Sequence, residues 1–195
     1  MNLNISAIFL DRDGIINYDY GYVYEKDTFQ FIEGSVEALQ ELKTMNYVLV
    51  IVTNQSGIAK GLFTETQFID LTNWMYRELI QYGIKIDGIY YCPHHPNAIK
   101  MKYKQICNCR KPKAGWLFTA QKKMNINMKT SYMVGDKLSD MKAGKNAGIG
   151  TTVLVSVNNS IMDYDKKYVD WIINSLAELP YRIKKYQSVN NILLK

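Results

Sequence analysis

Cysteine and histidine are scarce in this 195-residue chain: there are three and two, and all five lie between Cys92 and Cys109. An odd cysteine count excludes a fully paired disulfide framework, and the clustering points to a metal. Long hydrophobic runs are also missing. No apolar stretch approaches the about 20 residues of a membrane-spanning helix, and the N-terminus lacks a secretory signal's basic start and apolar run. A cytoplasmic protein with no membrane partner is expected. Neither an internal repeat nor a low-complexity linker occurs. Four of the six net positive charges fall in the last fifteen residues (Arg182, Lys184, Lys185 and Lys195). Outside that tail there is no basic stripe interleaved with aromatics. The mildly basic body suits a small anionic substrate as well as a nucleic acid, so charge alone excludes neither.

What is present is 47% hydrophobic content, enough for one domain with a sizeable core. Apolar, β-branched runs at 5–10, 47–52, 86–91, 130–134 and 151–155 read as strands, with 170–173 as a further candidate. Helical periodicity marks 34–45, 64–82, 114–124 and 139–147, and a terminal helix from about residue 175. Thr64 fits an N-cap with Gln67 in the capping-box position. Strand–helix–strand units of this length imply an α/β fold, a central parallel sheet between two helical layers with ligands at the strands' C-terminal ends. The expected organisation is a single domain over 1–195, with a core at about 5–155 and an extension at 156–195 whose packing is unassigned.

Four segments at or near strand ends carry chemistry. Asp11-Arg12-Asp13-Gly14 offers one carboxylate to attack phosphorus and another to move a proton. Val52-Thr53-Asn54-Gln55-Ser56-Gly57 offers a hydroxyl, side-chain amides and backbone N–H groups for phosphate oxygens. Arg110-Lys111-Pro112-Lys113 is cationic, and Gly135-Asp136-Lys137-Leu138-Ser139-Asp140 adds a carboxylate for a cation. Singly, each also reads as a turn, a solvated basic stretch or a helix cap. The recurrence of all four in order favours the chemical reading. The carboxylates of Asp11, Asp13 and Asp136 are expected to converge on one cation, with Asp140 more plausibly on a helix face.

Cys92-x-His94 and Cys107-x-Cys109, with twelve residues between the pairs, complete a tetrahedral Zn²⁺ ligand set, which makes the site structural. His95 is the rival to His94. Thirty-nine residues separate Asp13 from Thr53, and fifty-six separate Asn54 from Lys111. Once their helices are counted, neither interval leaves room for a folded cap over the site.

These four segments in this order resemble the motifs of the haloacid dehalogenase (HAD) superfamily of phosphohydrolases. Asp19-Tyr20-Gly21-Tyr22-Val23, Tyr91 to Pro96 and Cys107 to Pro112 extend the likeness to its zinc-loop branch, which includes sugar-bisphosphate and histidinol-phosphate phosphatases. The resemblance covers residues 5–155. It implies a three-layer Rossmann-like fold and the Mg²⁺-dependent removal of one phosphate from a heptose 1,7-bisphosphate. Asp11 would be the nucleophile and Asp13 the acid and base. Mg²⁺ would be held by Asp11, the Asp13 carbonyl and Asp136, and the transferring group by Thr53, Asn54 and Lys111. Asp19, Tyr20, Gly21, Tyr22, Gln55, Ser56, Arg110 and Lys137 would meet substrate, and the family pattern favours His94 over His95 for zinc. A phosphorylated sugar is then the expected partner of a monomeric enzyme without nucleic acid. Histidinol phosphate is the rival substrate, and a zinc-loop nucleic-acid module the non-enzymatic alternative.

Overall fold

The computed structural model describes residues 5–156 and 163–193, with only the backbone described for 163–164 and 190–193. Residues 157–162 of the expected extension and Lys195 of the basic tail lie outside the described residues. Six parallel strands form one open sheet: β1 (Ala7–Leu10), β2 (Val48–Asn54), β3 (Gly88–Cys92), β4 (Tyr132–Gly135), β5 (Thr151–Val155) and β6 (Trp171–Ile173). Their order across the sheet is β3-β2-β1-β4-β5-β6. The chain winds outward from β1 in one direction and then resumes on its other side, so the crevice between β1 and β4 is where such a sheet binds ligands.

The helices are α1 (Ser35–Thr44), α2 (Ser56–Lys60), α3 (Glu65–Gln81), α4 (Gly115–Met124), α5 (Leu138–Asn146) and α6 (Leu179–Leu193). Successive side chains of a strand point to opposite faces. Ile8, Leu10, Leu49, Ile51, Val134 and Val153 therefore pack against Leu39 and Leu42 of α1, Leu71 and Met75 of α3, and Leu179 and Ile183 of α6. Ala7, Phe9, Val50, Val52 and Met133 pack on the other face with Leu117 of α4 and Met141 of α5. Burial on both faces explains why these strands read as unbroken apolar runs. The expected Thr64–Gln67 capping box is present, with reciprocal bonds of 3.1 and 2.8 Å.

Three differences matter. The strand expected at 47–52 continues to Asn54, so Thr53 and Asn54 are held by sheet register and not by a loop. The short α2 follows at once and carries no apolar period long enough to show in the sequence. The extension left unassigned docks on the core, where Gln187 bonds the Tyr47 hydroxyl (3.0 Å) and Lys184 pairs with Glu41 (2.6 Å). Between Asp13 and Thr53 lie a 3-10 turn at Lys26–Thr28, α1 and the first residues of β2. Between Asn54 and Lys111 lie α2, α3, β3 and a turn at Met101–Tyr103. Neither interval folds into a cap.

Candidate active site

Pairing of Leu10 with Val134 places the residues that leave β1 and β4 side by side, and the Asp11 N–H bonds the Val134 carbonyl at 3.0 Å. Asp11 and Asp136 thereby meet across 125 positions of sequence. Gly14 turns at φ +80°, and a Cβ there would sit 2.6 Å from Asp136 Oδ2, so only glycine admits this approach. The Asp11 Oδ1 accepts the Arg12 N–H (2.8 Å), and its Oδ2 pairs with Lys111 Nζ (2.8 Å). The same ammonium pairs with Asp140 (2.6 Å) and donates to the Val52 carbonyl (2.7 Å). Burial would strip Lys111 of its proton, but the charges of Asp11 and Asp140 outweigh it and raise its pKa. Burial raises that of Asp140; Lys111 opposes, and Asp11 adds to the rise.

Asp140 thus lies in the site, fully buried, and not on the helix face that the sequence favoured. Its Oδ2 also accepts the Lys137 N–H (3.0 Å), capping α5. A carboxylate three residues into a helix reads equally as a surface cap, and only burial separates the two. The Asn54 amide clamps Lys111 from the side. Its Oδ1 accepts the Lys111 N–H and its Nδ2 donates to the Lys111 carbonyl, both at 3.1 Å.

Asp13 departs from expectation. The clustered carboxylates are Asp11, Asp136 and Asp140, with ligand oxygens within 4.8 Å of one another, and the Asp13 carboxyl is not among them. It accepts from Arg12 Nε (3.1 Å) and Nη2 (2.8 Å), from Asn17 (3.0 Å) and from Gln55 (3.0 Å). Burial would raise its pKa, but Arg12, helped by the two amides, holds it below the usual carboxylate range. Gln55, expected against substrate, is turned inward and spends its amide on Asp13 and on Thr53 Oγ1 (3.0 Å). Arg12 and Asn17 were not singled out by sequence. Arg12 is buried over the Phe68 ring (5.4 Å) and tied to the Val23 carbonyl (2.8 Å). The one available signal was a cation between two acids.

Lys137 stands at the rim, 3.5 Å from Asp136 and 3.2 Å from Asp19. Burial lowers its pKa, but those two carboxylates outweigh burial and raise it. Asp19 accepts the Gly21 N–H (3.0 Å) and shapes a turn in which Gly21 (φ +83°) and Tyr22 (φ +58°) are both left-handed. For a tyrosine that conformation costs about 1–2 kcal/mol. Lys60, absent from the sequence-derived set, bonds the Tyr22 hydroxyl and lies 5.0 Å from the ring centre. Tyr20 is exposed and bonds Gln30 (2.7 Å), while Ser56 opens α2. Asp136 Oδ1 is buried without a hydrogen-bond partner among the described residues. Burial raises its pKa; Lys137 opposes, and Asp11 adds to the rise. Crowded carboxylate oxygens with one left orphaned fit a hard divalent cation at Asp11 and Asp136.

The thiol cluster hangs from β3, the edge strand beside β2. Cys92 ends β3 opposite Asn54, and its carbonyl accepts the Gln55 N–H (2.8 Å). Cys109 Sγ is 3.2 Å from both Cys92 and Cys107 and 3.4 Å from His94 Nδ1; Cys92 is 3.5 Å from Cys107. No pair is a disulfide. Four mutually close donors of this kind suit one tetrahedral ion. Burial pushes the Cys92 thiol up, while Cys107, against burial, is drawn down to about 6 by hydrogen bonds from Cys109 and His94. His95, the rival ligand, instead accepts the Asn97 N–H through its own Nδ1 (3.1 Å). Burial first, then the charges of Arg110 and Lys60, lower the His95 pKa. Arg110 donates to the His94 carbonyl (3.3 Å).

The HAD-hydrolase-like family model matches residues 108–179. The chain is 56% identical to D-glycero-beta-D-manno-heptose-1,7-bisphosphate 7-phosphatase of Pasteurella multocida, covering 93% of this chain and 98% of that one. Its counterpart in Escherichia coli K12 is 52% identical, with 96% and 98% covered. Among solved structures, a HAD-like phosphatase from Mesorhizobium loti superposes with a TM-score of 0.81 at 30% identity, covering 93% of this chain and 87% of that one. The D,D-heptose 1,7-bisphosphate phosphatase of B. bronchiseptica, complexed with magnesium and phosphate, gives 0.79 at 28% identity, with 93% and 99% covered. With identity above one half along almost all of its length, the chain belongs to the heptose-1,7-bisphosphate 7-phosphatase family of HAD-like phosphoric monoester hydrolases.

Proposed function

We propose that the protein removes the C7 phosphate from D-glycero-β-D-manno-heptose 1,7-bisphosphate, leaving the 1-phosphate for nucleotide-activated heptose synthesis. The observation that carries this reading is the Lys111 ammonium held between Asp11 and Asp140 at the β1/β4 crevice. It is a fixed positive charge where a phosphoryl group must approach an anionic nucleophile. Asp11 attacks phosphorus in line, forming an aspartyl-phosphate and releasing the sugar oxygen. Asp13 gives that oxygen its proton and then takes one from the water that hydrolyses the acyl phosphate. Its hold on Arg12, Asn17 and Gln55 favours the ionised carboxylate, so it must leave this web to act as the acid. Thr53, whose oxygen accepts from Gln55, keeps its proton free for a phosphate oxygen. Asn54 serves by fixing the Lys111 backbone.

Mg²⁺ is the cation assigned to Asp11, the Asp13 carbonyl and Asp136, where it would offset the charge between nucleophile and ester. Zn²⁺ is assigned to Cys92, His94, Cys107 and Cys109 as a structural ion that steadies the loop carrying Arg110. Asp19 to Tyr22, Ser56, Arg110 and Lys137 are the assigned sugar and phosphate contacts. The reading includes a single-domain monomer over 1–195 acting in the cytoplasm, where thiols stay reduced. The test is phosphate release from both anomers of the heptose bisphosphate, fructose 1,6-bisphosphate and histidinol phosphate, with Asp11→Asn as the blank. The β-anomer is expected to be hydrolysed fastest. Faster release from histidinol phosphate would overturn the assignment.

A further inference from the structure

The loop between Cys92 and Cys107 carries a surface that the proposed reaction does not use. Its Ile99, Met101 and Ile106 are 75%, 76% and 81% exposed, the three most exposed large hydrophobic side chains among the described residues. The same loop buries Ala98 and turns Tyr103 onto the small cluster of Ile58, Phe63 and Phe68. It is also held in place: the Ala59 carbonyl accepts the N–H groups of Ile99 and Lys100 at 3.0 Å, and the Tyr103 hydroxyl donates to Glu65 (2.8 Å). The three apolar side chains therefore project from a fixed backbone. Lysines alternate with them at 100, 102 and 104, and Lys100 lies against Gly61, next to the half-exposed Leu62. Among the described residues Lys100 and Lys104 have no carboxylate oxygen within 4.0 Å, and Lys102 reaches only Glu65 (3.5 Å). From Gly88 to Gly135 the chain has nine lysines and arginines and no acid, whereas the remainder has more acids than bases.

We propose that this loop docks the protein on an anionic lipid bilayer. Ile99, Met101 and Ile106 enter the boundary between headgroups and acyl chains, and Lys100, Lys102 and Lys104 meet the lipid phosphates. Apolar insertion and charge attraction are each weak alone, and the loop supplies both. A nucleic acid would satisfy the lysines but offer nothing to three aliphatic side chains. A protein partner would need three matched pockets for them, and a fluid interface needs none. The expectation of no membrane partner rested on the lack of a spanning run, which a surface contact does not require. Docking adds no step to the phosphatase chemistry.

The test is co-sedimentation of the full-length protein with vesicles of phosphatidylcholine containing phosphatidylglycerol, and with vesicles of phosphatidylcholine alone. Binding is expected to the first and not to the second, and it should weaken as salt rises. Ile99→Ser/Met101→Ser/Ile106→Ser, with every lysine kept, should lower the partition coefficient at least about tenfold. Lys100→Gln/Lys104→Gln should lower it about twentyfold, the effect of two lysines near a charged surface. Lys122→Gln/Lys123→Gln, which removes as much charge from the end of α4, should keep it. All variants should retain the wild-type circular dichroism, and Met101→Ser alone repeats the measurement if the triple variant does not. Wild type that ignores the anionic vesicles or binds both kinds equally, or a serine variant with undiminished partition, overturns the docking surface. So does an equal loss in Lys122→Gln/Lys123→Gln, which would leave only net charge at work. Tighter binding to single-stranded DNA than to vesicles, lost in Lys100→Gln/Lys104→Gln, would overturn it in favour of a nucleic-acid contact.

Discussion

The carboxylate–lysine cluster leaves β1 and β4 and the thiol cluster leaves β3, at the same edge of the sheet, yet they are assembled in opposite ways. Asp11, Lys111, Asp136 and Asp140 come from segments up to 129 positions apart and meet only because β1 pairs with β4. Cys92, His94, Cys107 and Cys109 lie within eighteen consecutive residues. The first is buried and braced by the sheet; the second closes its own loop and is tied to the core at a few points. One such tie is Glu65 at the start of α3, which accepts from the Tyr91 hydroxyl (2.9 Å) and the Tyr103 hydroxyl (2.8 Å). The carboxylate–lysine cluster is placed where the fold already fixes side-chain direction, whereas the thiol cluster gathers within its own loop.

The sharpest way to separate the two clusters is Asp11→Asn. It should lower kcat by at least about a thousandfold, with native circular dichroism and a smaller loss of stability than Lys111→Met, because Lys111 keeps Asp140 as its partner when the Asp11 charge is lost. Measurable turnover within tenfold of wild type would remove Asp11 from the nucleophile's role.

Lys111→Met should be the costliest change to the fold. It leaves the Asp11 and Asp140 carboxylates buried without their cation, and loss of one partner of a buried pair costs about 3–5 kcal/mol. Urea unfolding measures this. A loss below about 1 kcal/mol would mean that Asp140 takes up a proton with little penalty.

Metal removal from the thiol cluster should act more mildly and more locally. Glu65 and the Ala59 carbonyl still hold the loop, so a fall in Tm of about 5–10 °C is expected. KM should rise while kcat, measured with Mg²⁺ restored, is largely retained. An unchanged Tm after complete chelation, verified by metal analysis, would show that the thiols do not stiffen the loop.

The smallest effect concerns the Glu65 tie. Burial, then the Glu65 carboxylate, push the Tyr91 pKa up to about 12. A raised folded value means that its contribution to stability is complete below the unfolded tyrosine range, near about 10. The contribution is lost as pH rises through about 12. Tyrosinate absorbance should show late-ionising phenols, with Tyr91 and Tyr132 among them, and Glu65→Gln should bring the Tyr91 step earlier by removing the negative charge. A titration unchanged by Glu65→Gln would leave Glu65 without influence on Tyr91.

Several of these features were readable without coordinates. Ile5 to Leu10 and Tyr47 to Val52 show their two-sided burial as continuous apolar runs, and the metal-ligand spacing shows in the thiol loop. Asp140 and Gln55 were misread because a helix cap and a phosphate donor look the same in sequence as a buried ion pair and an inward amide. Lys60 and Arg12 went unseen because a lysine or arginine reads as solvated until its neighbours are known.

By itself, then, the chain's pattern determined the strand and helix alternation, the segments whose carboxylates and cations gather at the strand ends, and the three cysteines and one histidine that gather into one four-donor cluster, since all of these are local in spacing or composition. Tertiary structure alone decided that Asp140 rather than Asp13 joins the Asp11–Asp136 cluster, that Arg12 locks Asp13, and that Lys60 faces the Tyr22 turn. The reason is physical: side-chain direction and burial are set by sheet register and packing between distant segments, so even the neighbours Arg12 and Asp13 read as locked only once Val23 and Gln55 are in place.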